Sequence, residues 1–452
     1  MPSLLGAKSP GNANALERIG QLPNMDVLSI ARDALDLGPI CDACLGRCVA
    51  DRSRGLTNHD RGNALRVVVS MVDDEPLEVV GEPCWVCEGL TDRYDALAEQ
   101  AVEAIGDIEF RTYQVGTRVS RFVEENDILL REEIRGDADA GEPIKSEVNR
   151  EVGKRLGAMT DTRVEFGRPD VLVLLDMEAD EIDVTVNSAF VYGRYRKLER
   201  GIPQTRWPCY ECDGSGQSNG ETCPGCDGSG YRYDRSVEQL IAPVIQEAMG
   251  GESATFHGAG REDVDARMLG RGRPFVVEVD EPRRRMVDTS ELVDRIAEYA
   301  DGAVEVNELA LANYQMVEHV KELDASKTYE AHVSFDRPVG RPALIDAIER
   351  LAGRTIKQQT PTRVSHRRAD LLRERTVHEI DLVEATETHA IISVHGEGGL
   401  YIKELMHGDE GRTDPSLAGL LGIGVTVDAL DVVSVEADGE QAFDDDELLV
   451  GN

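Results

Sequence analysis

Eight of the nine cysteines stand in four Cys-x-x-Cys pairs, and this feature constrains the fold more than any other. A tight Cys-x-x-Cys turn can supply two thiolates to one zinc ion, whose tetrahedral geometry requires four donors. The pairs are Cys41/Cys44, Cys84/Cys87, Cys209/Cys212 and Cys223/Cys226. They predict two zinc sites of two pairs each. Both sites are expected to be structural, because no histidine or carboxylate accompanies either set to leave an open coordination position. The remaining Cys48 is predicted to be a small buried residue.

The pattern along the 452 residues changes three times, which predicts an α+β chain of several domains. Residues 1–92 form the first zinc-binding module. Residues 93–208 alternate helices with strands and end in a basic, aromatic segment. Residues 209–234 contain Cys-x-x-Cys-x-Gly-x-Gly twice, a second zinc-binding element. Residues 235–452 alternate strands and helices without a long gap.

The charge of the chain is strongly negative, at −37, and only 8 of its 49 basic residues are lysines. A protein that binds nucleic acid is normally basic. The charge therefore argues against such a partner, or it reflects a concentrated-salt solvent that screens self-repulsion. We favour the halophilic interpretation, which predicts unfolding in dilute buffer. It also predicts that stacking and hydrogen bonds carry more of the recognition than phosphate contacts do.

The sequence contains no apolar run of the length that a membrane-spanning helix needs. Its first twenty residues lack the long apolar stretch and small-residue cleavage site of a secretion signal. We therefore expect a cytoplasmic protein with no membrane association, and nothing in the sequence implies a protein partner.

Three short motifs, in a fixed order, carry the predicted chemistry. The first is Gly260-Arg261-Glu262-Asp263, in which glycines place acidic residues on an exposed turn; a carboxylate there can act as nucleophile or base. The second contains Tyr329, which can stack on a flat substrate. The third contains Lys403 in a segment that follows Gly399, where the ammonium can hold a carboxylate ionised. For an arbitrary chain, surface ion pairs and half-buried tyrosines would explain the same residues.

The three motifs together resemble the archaeal and eukaryotic tRNA pseudouridine synthase family that modifies uridines 54 and 55 of the T-loop. Four further segments agree with this family: 194–207, 327–331, 359–370 and 399–415. The resemblance implies a catalytic domain with a central mixed or antiparallel sheet flanked by helices. It also implies tRNA as partner and catalysis without a cofactor.

The resemblance implies a role for each matched residue. Asp263 is the predicted nucleophile, with Asp265 as its rival, and Lys403 pairs with the aspartate. Tyr329 packs against the target uracil, and Tyr401 contacts the substrate. The remaining predicted substrate-binding residues are Arg261 and Arg363.

The segment 93–208 resembles a THUMP domain, an RNA-binding module of tRNA-modifying enzymes. The basic segment at its end, 194–207, contains candidates for tRNA contacts, and the basic segment 363–368 contains more. The alternative is that these arginines only pair with surface carboxylates. The candidates are Arg194, Arg196, Lys197, Arg200, Arg363, Arg367 and Arg368.

Two alternatives remain open at this stage. THUMP domains also accompany methyltransferases, but Gly270-Arg271-Gly272-Arg273 is a poor match to a glycine-rich turn that cradles a cofactor. The second alternative is a non-catalytic zinc-dependent RNA-binding protein. Replacing Asp263 by asparagine should abolish an isomerase and leave a binding protein intact.

Overall fold

A computed structural model describes residues 27–77, 83–322, 325–364, 369–437 and 445–450. The described residues divide into two compact units, of which the first contains those up to 106 together with 111–185, and the second contains 107–110 and those from 186 onward. Among the described residues, no helix has both the length and the apolar character needed to cross a membrane.

Unit 1 combines helices with one small sheet. Its helices are α1 (Val27–Asp36), α2 (Asp42–Arg47), α3 (Asn58–Asp73), α4 (Tyr94–Ile105), α5 (Arg121–Arg135) and α6 (Ile144–Thr160), with a 3-10 turn at Leu90–Arg93. Its strands are β1 (Thr112–Arg118), β2 (Arg163–Val164), β3 (Val171–Asp176) and β4 (Glu181–Val186). The strand order is β2-β1-β3-β4, and β1 runs parallel to both β2 and β3.

A buried arginine joins the cysteine-rich helices of unit 1 to the helices beside its sheet. The side chain of Arg47 is 1% exposed and pairs with Asp127 of α5 and, at 3.0 Å from its Nε, with Glu147 of α6. It also donates to the Sγ of Cys44 at 3.0 Å. Breaking a buried ion pair by removing one partner is strongly destabilising. The predicted ranges 1–92 and 93–208 thus both contribute to unit 1.

Unit 2 contains a ten-stranded sheet and a separate two-stranded hairpin. Its strands are β5 (Ala189–Lys197), β6 (Gln217–Ser218), β7 (Glu221–Thr222), β8 (Ser253–Gly258), β9 (Arg267–Asp280), β10 (Val304–Ala312), β11 (Ala325–Phe335), β12 (Thr355–Gln359), β13 (Leu372–Ala385), β14 (His389–Gly396), β15 (Thr413–Asp414) and β16 (Val425–Ala437). Its helices are α7 (Val237–Met249), α8 (Thr289–Ala300), α9 (Gln315–Glu322), α10 (Arg341–Leu351), α11 (Ile402–His407) and α12 (Leu417–Leu421), with 3-10 turns at Thr362–Val364 and Asp409–Gly411.

The large sheet is mixed, as predicted for the α+β fold class. Its order is β10-β5-β9-β16-β11-β14-β13-β12-β15, and β8 pairs with β9 outside this path. The pairings along this path are antiparallel, except that β9 and β16 run parallel over Arg267↔Asp431 and Met268↔Val432. This short parallel contact places the start of β9, and the loop before it, beside the middle of β16.

Two clusters of buried apolar side chains cover the two halves of the large sheet. One cluster packs α7 and α8 against β5 and β9, and the other packs α10, α11 and α12 against β11 and β14. Tyr329 of the central strand β11 packs against both clusters. Helix α7 begins after Ser236, whose hydroxyl accepts from the backbone N–H of Gln239 and satisfies one of the free amides of the first turn.

The segment before the second cysteine repeat forms part of the large sheet. Strand β5 falls within the predicted range 93–208, yet it hydrogen-bonds to β9 and β10 in unit 2. The predicted range 209–234 supplies the hairpin of β6 and β7, and the range 235–452 supplies the rest of the sheet.

Candidate active site

A pocket of about 310 Å³ opens at the parallel contact between β9 and β16. Four segments that are distant in sequence contribute to its wall, together with Trp207, Arg273 and Arg363. The lining residues of these segments are 260–264 and Ala266, Lys327 and Tyr329, 399–403, and Leu430 and Val432. The predicted residues Arg261, Asp263, Tyr329, Tyr401 and Lys403 all line it, as does Arg363. A concave site with a few converging polar groups is the usual form of a binding site.

Asp263 lies on the loop between β8 and β9. Gly260 begins this loop with φ +73°, a left-handed conformation that side chains rarely adopt and glycine adopts readily. The carbonyl of Asp263 accepts from the backbone N–H of Ala266 at 3.1 Å and closes a turn. The Asp263 side chain keeps 37% of its surface exposed. The expected exposed acidic turn therefore exists at Asp263, and its carboxylate faces the pocket.

Arg363 is the closest cation to Asp263. One guanidinium nitrogen donates to both carboxylate oxygens of Asp263, at 3.1 and 3.0 Å. The Nε of Arg363 donates at 2.8 Å to Glu404, whose side chain is 1% exposed. Burial alone would lower the pKa of Arg363, but the two carboxylates raise it well above its usual range. The guanidinium is therefore fully charged and held from both sides.

Lys403 binds Asp265 more closely than it binds Asp263. Its Nζ lies 2.9 and 2.7 Å from the two carboxylate oxygens of Asp265 and 3.5 Å from the nearer oxygen of Asp263. Burial acts to raise the pKa of Asp265, but the hydrogen bonds and charge of Lys403 outweigh it, so this pKa is lowered. Asp265 is 70% exposed and does not line the pocket.

The two tyrosines approach the pocket from different elements. Tyr329 is half-buried on β11, and burial raises its pKa to about 12, so its phenol is neutral near pH 7. Tyr401 immediately precedes α11, and the buried amide of Gln358 both accepts from its backbone N–H and donates to its carbonyl, each at 2.9 Å. This paired contact holds the start of α11, which carries Lys403 and Glu404.

A buried network of charged and polar side chains supports the loop that carries Asp263. Glu262 is not on the exposed face of the turn, as its neighbourhood in the sequence suggested, because its side chain is 0% exposed and bound by charged partners. Its carboxylate accepts from Arg273 at 2.8 Å and from the hydroxyl of Tyr195 at 2.8 Å. Burial acts to raise the pKa of Glu262, but Arg273 and Lys197 outweigh it and lower this pKa.

Lys197 is the second cation of the buried network, and its side chain is 0% exposed. Its Nζ lies 3.7 Å from Glu262 and donates to the carbonyls of Ile202, Asp263 and Val264 at 2.8, 3.1 and 3.3 Å. Burial lowers the pKa of Lys197. The lysine therefore holds the backbone at the position from which the Asp263 side chain projects.

Comparison with known proteins places this architecture in a family. A family model described as "Pus10, C-terminal" matches residues 190–436, and one described as "Pus10 THUMP domain, archaeal" matches residues 97–176. The chain belongs to the Pus10 family. A relative from Halorubrum lacusprofundi, named "tRNA pseudouridine synthase Pus10", is 60% identical over 417 residues, covering 92% of this chain and 98% of the relative. A second protein of that name, from Methanothrix thermoacetophila, is 43% identical over 436 residues, which cover 91% of this chain and 94% of that protein.

One chain of the solved structure "Crystal Structure of a Cbf5-Nop10-Gar1 Complex" is similar to this protein. The similar region covers 52% of this protein and 60% of that chain. The TM-score is 0.28 and the identity is 17%. The family predicted from the motifs is confirmed, and with it the class of enzyme, a pseudouridine synthase. The THUMP domain is confirmed over residues 97–176.

Both cysteine sets of this Pus10 family member have the geometry of a zinc site. Within each set of four, the sulfur atoms lie within 4.8 Å of one another, and neither set forms a disulfide. The distances between sulfur atoms are 3.8 Å for Cys41 and Cys87, 4.0 Å for Cys209 and Cys223, and 3.7 Å for Cys212 and Cys226. A tetrahedral zinc with Zn–S bonds of about 2.3 Å separates its sulfurs by about 3.8 Å. Either set could therefore hold zinc.

The glycines of the repeat explain why Cys-x-x-Cys-x-Gly-x-Gly occurs twice. The backbone N–H of Gly216 donates to the sulfur of Cys212 at 3.3 Å, and that of Gly230 donates to Cys226 at 3.2 Å. A β-carbon on Gly216 would lie 2.4 Å from the carbonyl oxygen of Gly228, so the two knuckles approach closely. Bound zinc would supply the crosslink that holds these turns together.

The predicted tRNA contacts of Arg194 and Lys197 are wrong, because both side chains point into the protein. Arg194 is 1% exposed and donates to the carbonyls of Gly272 and Val435. Arg196 pairs with Glu305, and Arg200 pairs with Asp431 at 2.7 Å. The candidates Arg367 and Arg368 lie outside the described residues.

Sequence reasoning missed the roles of Glu404, Lys197 and Arg273. Glu404 stands beside Lys403 in the same motif, but only the fold shows that it faces Arg363 rather than solvent. Arg273 lies in the middle of β9, two residues before its apolar run, and this position within a buried strand is the one signal of its burial.

Proposed function

We propose that this chain isomerises uridine to pseudouridine in the T-loop of tRNA, at uridines 54 and 55, with Asp263 as the nucleophile or base. The observation that carries the proposal is the position of Asp263 between two cations in a pocket that Tyr329 also lines. The THUMP domain and the names of the two relatives, each a tRNA pseudouridine synthase, support tRNA as the substrate. Both cysteine sets hold structural zinc in this proposal, and catalysis uses no cofactor.

The target uridine must leave its stack before its glycosidic bond can be reached. Stacking on an aromatic ring contributes about 1–3 kcal/mol per base, and Tyr329 supplies that ring here. Asp263 then breaks the glycosidic bond, either by attack on the ribose or by removal of a ribose proton. The freed uracil rotates and its carbon 5 bonds to the ribose. In this step Asp263 is released from the ribose, or returns the ribose proton that it removed, and N1 of the uracil takes up a proton in place of its broken glycosidic bond.

The proton on carbon 5 leaves last, to a general base. Tyr329 is neutral near pH 7 and can pass this proton on only through hydrogen bonds, unless a base deprotonates it. Arg363 and Lys403 compensate the charge of Asp263 throughout. Asp265 holds Lys403 in place through an ion pair. Because its carboxylate is engaged in this way, we favour Asp263 over Asp265 as the reacting group.

The decisive experiment uses a tRNA transcript labelled with tritium at carbon 5 of uracil. Wild type, Asp263→Asn and Asp265→Asn are incubated with it in concentrated salt without any added cofactor. We expect tritium release by wild type, none by Asp263→Asn and a reduced rate for Asp265→Asn. Release from Asp263→Asn but not from Asp265→Asn would move the nucleophile to Asp265.

No release by folded wild type that binds tRNA would overturn the proposal. It would favour a methyltransferase, tested with a methyl donor, or a non-catalytic RNA-binding protein. Transcripts in which uridine 54 or uridine 55 is replaced by cytidine identify the modified position. Release that persists with either single replacement and disappears with both would establish both positions.

A further inference from the structure

Arginine and aromatic side chains alternate from the rim of the pocket to the surface of the second cysteine knuckle. The guanidinium carbon of Arg261 lies 5.6 Å from the ring centre of Trp207, and both residues line the pocket. Arg232 lies 4.9 Å from the same ring and 3.9 Å from the ring of Tyr210. The order outward is therefore Arg261, Trp207, Arg232 and Tyr210, which we call the stacking ladder.

The outer end of the ladder is open to solvent. Tyr210 keeps 76% of its surface exposed although Arg232 lies close to its ring. One face of the ring is thus covered by the guanidinium and the other is accessible. A half-covered aromatic ring on a rigid turn is the arrangement on which nucleobases stack in proteins that bind single strands.

The cysteine knuckle fixes the ladder in place. The backbone N–H of Arg232 donates to the carbonyl of Trp207 at 3.0 Å, and that of Cys209 donates to Gly230 at 2.8 Å. The two ends of the knuckle are therefore paired with each other, so the metal-binding turns determine where Arg232 meets Trp207. Tyr233 adds a further edge contact to Trp207, with ring centres 5.6 Å apart.

We propose that the stacking ladder binds unpaired nucleotides that flank the target uridine, with one base stacked on the open face of Tyr210. This inference rests on the proposed function, since it assigns the RNA next to the reacting uridine. A nucleotide that leaves its stack exposes its neighbours, and those neighbours need new stacking partners. The ladder starts at the pocket rim and supplies planar groups in the direction in which such a strand would leave.

The charge around the ladder favours stacking over phosphate contact. Glu211 follows Tyr210 directly and Asp213 stands three residues after it, so two acidic residues accompany Arg232 at the outer end. Contacts to phosphate weaken steeply with salt, because they depend on counterion release. Base stacking on neutral rings releases no counterions, so it does not weaken with salt in this way. The ladder is therefore suited to RNA recognition by a chain of net charge −37.

The test compares the affinity of unmodified tRNA transcript for wild type, Tyr210→Ala, Tyr210→Phe and Tyr299→Ala at two salt concentrations. We expect Tyr210→Ala to raise the Kd about tenfold, by a factor that does not shrink in molar salt. Tyr210→Phe retains the ring and should bind as wild type does. Tyr299 is an exposed tyrosine on α8 that does not line the pocket, so Tyr299→Ala is the matched control.

A second pair of variants separates stacking from charge. Arg232→Lys keeps the positive charge but loses the planar group, so we expect it to weaken binding as Arg232→Ala does. Wild-type affinity of Arg232→Lys beside weak binding of Arg232→Ala would indicate a phosphate contact and overturn the ladder. Unchanged affinity of Tyr210→Ala would overturn it as well.

Folding and catalysis are measured in the same samples. A Tyr210→Ala variant that loses zinc and melts earlier would show a structural role and contradict the inference. Pseudouridine formation by wild type keeps the two proposals apart. If wild type is active and Tyr210→Ala binds normally, only the ladder fails; if wild type is inactive, the proposed function fails.

Discussion

Arg363 donates through one guanidinium nitrogen to both carboxylate oxygens of Asp263, at 3.1 and 3.0 Å. The rest of its guanidinium faces Glu404, which is 1% exposed, at 2.8 Å. A buried carboxylate thus orients the arginine that orients the proposed nucleophile. An arginine suits this position because its planar fork can bind two carboxylates at once.

Glu404→Gln tests this chain of contacts. We expect the rate at saturating tRNA to fall about a hundredfold, because a small displacement of a reacting group costs that much. The Kd for tRNA should stay near the wild-type value, since Glu404 is buried and does not line the pocket. Glu349→Gln, an exposed change on α10, is the control. Equal rates for both variants, or a loss confined to affinity, would contradict the prediction.

Lys197→Met tests the buried network. We expect it to lower the free energy of unfolding by about 3 kcal/mol, because it removes one cation from buried Glu262. The double variant Lys197→Met/Glu262→Gln should lose less than the sum of the single losses, since the two groups are in contact. Urea unfolding in concentrated salt measures all three, with exposed Lys357→Met as control. Strict additivity would show that the pair is not coupled.

The phenol of Tyr329 should remain protonated well into alkaline pH. Burial raises its pKa to about 12, above the ordinary value of 10, so deprotonation moves to higher pH. We expect the rates of wild type and Tyr329→Phe to depend on pH in the same way from neutral pH to about 10. Tyr329→Ala should also weaken tRNA binding, whereas Tyr329→Phe retains the ring. A change in the wild-type rate near pH 10 that is missing from Tyr329→Phe would refute this prediction.

The two cysteine sets should bind one zinc each. We expect two zinc ions per chain by elemental analysis of reduced protein, and one in either Cys84→Ala or Cys223→Ala. Cys48→Ala should retain both, because Cys48 belongs to neither set. Each loss should lower the melting temperature, since a structural zinc contributes directly to folding. A zinc-free wild type, or loss of zinc from Cys48→Ala, would rule out this assignment.

Much of the site could be predicted because its chemistry is encoded in short segments. The spacing of the Cys-x-x-Cys pairs defines two ligand sets, since two thiolates on one turn can reach the same ion. The turn at Gly260 and the strand of Tyr329 depend on local backbone preferences, which the residues themselves carry. The residues that the family resemblance named for the pocket, Asp263, Tyr329 and Lys403, do meet in the fold.

The errors concern charged residues whose partners lie far away in sequence. Arg194 and Lys197 look like surface groups because they stand in a basic run, yet both are buried. Their carboxylate partners belong to other strands and loops, and a charged side chain enters the interior when such a partner is present. The assignment of Lys403 to Asp263 was incomplete for the same reason, since Asp265 lies closer to it.

The sequence by itself determined the two four-cysteine sets and the family, because both depend on residue type and short spacing. The pocket residues followed from the resemblance to that family. Only the tertiary structure decided which cation holds Asp263, which charges are buried and how Trp207 meets Arg232. These depend on strand order and on the parallel contact of β9 with β16, which bring distant segments within a few ångströms. The balance between desolvation and pairing at each charged group is set by that packing, and no local pattern contains it.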